Sequence, residues 1–173
     1  MNTFKRHLFF TFLLLTTSVT GFALEFNAPK GPIILTLGGN IDETNQGDSM
    51  VFDRDMLMAL PSHEVSTDNP WNEGVQTYQG FNPIDLLAAV DAEGDMLRIT
   101  ALNQYITEIP VSDFQQFGAI IAYSKNQEIM SVRTKGPLMV VYDFDDYPEL
   151  RSETYYGRSI WQIQSIEVFN SKE

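Results

Sequence analysis

Apolar residues recur along this chain at several spacings, and each spacing predicts a different element. Phe52, Met56, Leu57 and Leu60 share one helical face, with Asp53 placed to cap the start and Pro61 to stop the end. Ile84, Leu87 and Val90 share a second face. That helix opens on Asn82 as cap, Pro83 with its fixed φ and Asp85 in the first turn, and Gly94 follows its end. Leu97, Ile99 and Ala101 alternate with Met96, Arg98 and Thr100, the period of a half-buried strand. The unbroken apolar runs 119–123 and 138–142 predict central strands covered on both faces.

Shorter signals fill the gaps. Ile33 to Leu37, between Gly31-Pro32 and Gly38-Gly39-Asn40, predicts a strand. Residues 42–49 are polar and turn-rich, a solvent loop, and residues 62–74 predict an irregular connection. Ser112 with Gln115 predicts a capping box on a short helix ending at Gly118. In the last strand Trp161 and Ile163 have the opposite parity to Ile166 and Val168, which a bulge near Gln164-Ser165 would reconcile. The pattern predicts an α+β domain with a mixed or antiparallel β-sheet core and short inserted helices.

The N-terminus adds a compartment. Lys5 and Arg6 precede the apolar run 8–15, and Gly21-Phe22-Ala23 has the small-x-small form of a cleavage site. Residues 1–23 therefore predict a signal peptide cleaved after Ala23, giving a periplasmic or secreted protein in which 24–173 form a single domain. The run is too short for a membrane helix, which needs roughly 20 apolar residues, so no span is expected after cleavage. Lys5-Arg6 in place of an Arg-Arg pair favours export of an unfolded chain.

Cleavage removes two cations, so the formal charge of −12 becomes −14. Such a chain is unsuited to nucleic acid or anionic lipid surfaces, whose affinity comes from Lys and Arg. With no cysteine, stability must come from burial, and 12 Phe, 7 Tyr and 2 Trp supply the area.

Candidate chemistry is sparse. Gly47-Asp48-Ser49 has the form of an esterase nucleophile block, but after cleavage His63 is the one histidine left to act as base. One histidine without cysteine also excludes a typical zinc site. Asp143, Asp145, Asp146 and Glu149 read as a solvated loop, lacking the glycine and terminal Glu of a calcium loop. Arg133, Lys135, Arg151 and Arg158 gather near the C-terminus, where they either pair with the acidic loop from Asp145 to Glu149 or hold an anion. Arg133 and Lys135 have strand parity, and Gly136 beside them would let a phosphate or carboxylate approach the backbone. Trp71, Tyr105 and Trp161 are either core or pocket wall.

An ordered set of segments carries a resemblance. It comprises the helix 52–60 ending in Leu-Pro, Pro70-Trp71, Gly80-Phe81 leading into Asp85-Leu86-Leu87, Ala101-Leu102-Asn103-Gln104-Tyr105 and Ile109-Pro110. It continues with Lys135-Gly136-Pro137-Leu138 to Tyr142, and Arg158-Ser159-Ile160-Trp161-Gln162 to Val168. Over residues 33–169 this set resembles the oxidoreductase molybdopterin-binding domain, the sulfite-oxidase-type fold, in its small exported members. The resemblance implies that fold, and molybdopterin is implied by the resemblance only. Redox members of the family bind molybdenum through a cysteine thiolate in the loop after the first helix, here Val65 to Trp71, which has no thiol. The resulting expectation is a non-enzymatic binding or accessory module without a cofactor. It would present Asn103, Tyr105, Arg133, Lys135, Gly136 and Arg158 to a small anionic ligand or a periplasmic protein partner. Two alternatives stand beside it: a molybdopterin-dependent oxidoreductase with a non-cysteine metal site, and a sensory domain for a neighbouring signalling protein. The sequence is silent on oligomeric state.

Overall fold

The computed structural model describes residues 28–171, so the leader expected over 1–23 lies outside the described residues. The described residues build two sheets. The first is mixed. Strand β1 (Leu35–Gly39) runs parallel to the last strand, β10 (Ile163–Phe169), and antiparallel to β2 (Met50–Phe52). On its other side β10 pairs antiparallel with β5 (Met96–Ala101), which pairs in turn with β6 (Ile106–Pro110). The second sheet is antiparallel, in the order β3 (Ser62–Thr67), β4 (Gln76–Phe81), β7 (Ile120–Lys125) and β8 (Glu128–Ile129). Strand β9 (Met139–Val141) also pairs with β7.

The continuous apolar runs have a direct cause. Ala119, Ile121, Tyr123, Leu138 and Val140 point into the main core with Leu35, Leu37, Leu97, Ile99 and Ile166. Ile120, Ala122, Met139 and Val141 face the opposite way, into a smaller core with Val65, Tyr78 and Met130. Both faces of β7 and β9 are dry. Strand β5 buries only alternate residues, Leu97, Ile99 and Ala101, as its period requires. The register of β10 slips between Ile163 and Ser165, the bulge that reconciles the change of parity.

Among the described residues four short α-helices join the strands: α1 (Arg54–Met58), α2 (Pro83–Ala89), α3 (Val111–Gln116) and α4 (Glu153–Arg158). Asn82 caps α2 by accepting from the Ile84 N–H at 2.9 Å. Three expectations are corrected. Phe52 ends β2 instead of opening α1, because its ring is wholly buried beside the sheet. Residues 62–67 are a strand, not irregular. Their polar sequence hid it, since an edge strand is held by ladder hydrogen bonds and needs few apolar side chains. Helix α3 has Pro110 at its N-cap position and no side-chain cap, so the Ser112–Gln115 box does not form.

Asp53 does more than cap α1. Its carboxylate accepts from the backbone N–H groups of Met56 at 3.0 Å, Lys30 at 2.8 Å and Gly31 at 2.9 Å. These bonds, led by Met56, hold its pKa below the ordinary 3.8. A lowered carboxylate pKa stabilises the fold above the unfolded value, and that contribution is lost as pH falls through the folded one. Asp53→Asn should therefore lower stability at neutral pH and flatten its fall below about pH 4. Urea midpoints measured from pH 2 to 7 check this; parallel curves for the two proteins would contradict it.

Candidate functional site

A cleft of about 220 Å³ opens between the β5–β6 turn and the chain from α4 to Trp161. One wall is local in origin. The Gln104 N–H donates to the Ala101 carbonyl, and Gln104 adopts a left-handed φ of 68°. Asn103 Oδ1 then accepts from the Tyr105 N–H at 3.0 Å, which fixes the turn. Tyr105 is half exposed, and its hydroxyl donates across the cleft to the Gly157 carbonyl at 3.2 Å.

The other wall is aromatic. Trp161 bridges in antiparallel fashion to Met139 and meets Trp71 edge-on at 5.7 Å. Trp71 in turn meets Tyr156 at 5.9 Å, and Tyr156 meets Phe144 at 5.4 Å. Such tilted and edge-to-face contacts lock ring orientations. Trp71 is thus packing beneath the site, while Tyr105, Tyr156 and Trp161 line it. Lys135 Nζ lies 6.0 Å from the centre of the Trp161 ring, the outer range of a cation–π contact.

The residues singled out from the sequence separate. Asn103 and Tyr105 line the cleft and Lys135 stands beside its Trp161 wall. Arg133 and Lys135 do not share a strand face: Val132–Thr134 form a 3₁₀ turn, and Lys135 closes it at φ 69°. The Gly136 N–H donates back to the Ser131 carbonyl at 2.7 Å, so the chain curls where an extended strand was expected. Gly136 meets its own chain instead of an open ligand space, since a Cβ there would lie 2.3 Å from the Met130 carbonyl oxygen.

Arg158 turns inward. Its guanidinium donates to Asp113 Oδ2 at 2.8 Å, and the Tyr142 hydroxyl donates to the same oxygen at 2.8 Å. Asp113 and Tyr142 are both buried. Burial, and then the Asp113 charge, push the Tyr142 phenol well above its ordinary 10.0. Asp113 gave no signal in the sequence, where it is one polar residue of a short helix. Tyr156 and Ser159 were missed as well, because their approach to Asn103 depends on where α4 docks.

The remaining candidates resolve into structural roles. His63 Nε2 lies 2.9 Å from Asp85 Oδ2 on the surface. Asp143 Oδ1 accepts from the N–H groups of Asp145 and Asp146, while Asp145 pairs with Arg151. No group of three or more His, Cys, Asp or Glu among the described residues is placed to hold a metal.

Residues 65–71 are tied to their neighbours. Thr67 is buried, and its hydroxyl accepts from the Phe144 N–H at 3.0 Å and donates to the Asp68 carbonyl. The Asp68 N–H donates to Asp145, and Ser66 pairs with Thr77 at 2.8 Å. Asn69 and Asn72 both donate to the buried Tyr78 hydroxyl at 3.0 Å. This segment offers no soft donor, and most of its hard ones are engaged.

Among solved structures, the chain is similar to the sulfane dehydrogenase SoxCD from Paracoccus pantotrophus. The match has a TM-score of 0.59 at 14% identity and covers 85% of this chain and 40% of that one. This is a distant relationship of fold. The chain spans about 40% of the matched chain's length. No family model matches the sequence, and no curated protein does.

Proposed function

We propose that this chain is an exported binding or accessory domain of sulfite-oxidase-type fold, whose site is the Tyr105–Trp161 cleft. The observation that carries the reading is the cleft itself. Rigid rings wall it, the Asn103 side chain edges it, and Lys135 stands next to Trp161. That combination suits a small planar ligand bearing a negative charge, or the end of a partner's side chain of the same kind.

The residues present do not fit a thiolate-ligated molybdenum centre. The segment 65–71 has no thiol and spends the Thr67 hydroxyl on Phe144 and Asp68. Three of the arginines that an anionic cofactor would need are occupied: Arg98 by Glu108 and Glu167, Arg151 by Asp145, Arg158 by Asp113. The redox alternative draws its support from the fold likeness to a dehydrogenase.

The two readings part in one preparation of protein exported by its native host. Its mass should begin at Leu24, its molybdenum should be far below equimolar, and benzoate should quench its tryptophan emission. Tyr105→Ala should weaken that quenching about five- to tenfold, whereas Arg133→Glu should leave it unchanged. Near-equimolar molybdenum would transfer the assignment to the oxidoreductase reading. Emission indifferent to benzoate would remove the cleft as an anion site.

A further inference from the structure

A second and larger depression, about 650 Å³, lies on the other side of the Ala101–Tyr105 turn. Its floor is the outer face of the first sheet, where Thr36 on β1 and Ser165 on β10 are register partners. Loop 131–137 rises over one side, and the entry to β1 over the other. Large apolar side chains crowd the rim: Ile33 is 48% exposed, Leu102 44% and Val132 50%. Apolar residues exposed singly need no explanation, but several bordering one groove do.

The groove's charge is the second observation. The chain has 23 acidic residues against 11 basic ones, yet among the described residues no Asp or Glu lines this groove and Arg54 does. Arg54 is exposed at the start of α1 and forms no ion pair among the described residues. The bulge in β10 adds Gln164 to the same wall. Apolar rims, one free guanidinium and neutral hydrogen-bonding groups define a site for an apolar chain with an anionic head. Its volume is within the roughly 300–1,000 Å³ usual for small-molecule sites.

We propose that this groove binds an anionic amphiphile, a linear carboxylate whose head pairs with Arg54 and whose tail lies between Ile33, Leu102 and Val132. The site is separate from the Tyr105–Trp161 cleft and does not rest on that reading.

Calorimetric titration of the full mature chain with laurate, kept below its micelle concentration, tests the proposal. Laurate should bind at about one equivalent, and dodecyl maltoside, with a tail of nearly the same length and no charge, at least about tenfold more weakly. Arg54→Glu should cost laurate about tenfold or more. A glutamate in the first turn of α1 suits the helix dipole, so that variant keeps the fold. Val132→Asp should also weaken laurate, whereas Tyr105→Ala should not. Equal binding of the two detergents, or laurate affinity unchanged by Arg54→Glu, would overturn the assignment. Self-association that laurate fails to disperse would overturn it too, marking the groove as a contact between copies.

Discussion

Arg158→Ala should destabilise the protein by roughly 3 kcal/mol, because it strands a buried carboxylate. Asp113 is 5% exposed, and both of its strong donors meet at one oxygen: the Arg158 guanidinium and the Tyr142 hydroxyl. Removing the arginine leaves the charge with a neutral donor alone. Tyr142→Phe removes one hydrogen bond to the carboxylate but leaves the ion pair intact, and should cost about 1.5–2 kcal/mol. Urea unfolding of the two variants gives the order; a larger loss in Tyr142→Phe than in Arg158→Ala would refute the account. The phenol adds a signature in pH. Its folded pKa is raised, so its contribution is complete below 10.0 and declines above that value as the unfolded chain ionises. Stability of the wild type should therefore fall more steeply between about pH 9 and 11 than that of Tyr142→Phe.

Neighbouring substitutions in the 131–137 loop should have opposite signs. Gly136→Ala should cost about 2 kcal/mol, since the new methyl meets the Met130 backbone, which cannot rotate away as a side chain would. Lys135 occupies a left-handed conformation that costs most residues about 1 kcal/mol. Lys135→Gly should relieve that strain, and any gain is limited by the greater freedom of glycine in the unfolded chain. Thermal unfolding of both variants checks the contrast. A Gly136→Ala protein as stable as the wild type would show that the loop can open, and would return Gly136 to the list of ligand-facing positions.

Much of the fold was legible because its signals are local or periodic. The dry faces of β7 and β9 wrote unbroken apolar runs, β5 wrote an alternation, and the β10 bulge wrote a change of parity. Asp53 and Asn82 announced their helices through short-range bonds to Met56 and Ile84. The edge strand β3 was illegible for the opposite reason: its partners are backbone groups of β4, and backbone carries no side-chain pattern. The cleft was half legible. Asn103 and Tyr105 share a turn readable in sequence, but Tyr156 and Ser159 arrive from a helix more than fifty residues further along.

The C-terminal cations divide the two kinds of information most clearly. Sequence alone determined that the chain is acidic, that it has no thiol for a soft metal, and that β1, α2, β5, β7 and β9 fall near where their apolar spacing placed them. It also determined that Arg133, Lys135, Arg151 and Arg158 are close along the chain. Only the tertiary structure decided that Arg151 and Arg158 are spent on Asp145 and Asp113, that Arg133 leaves on a 3₁₀ turn, and that Lys135 stands at Trp161. The reason is range. Periods and caps are set by neighbours within a few residues, whereas the partner of a charge is set by packing, and Asp113 lies 45 residues from Arg158.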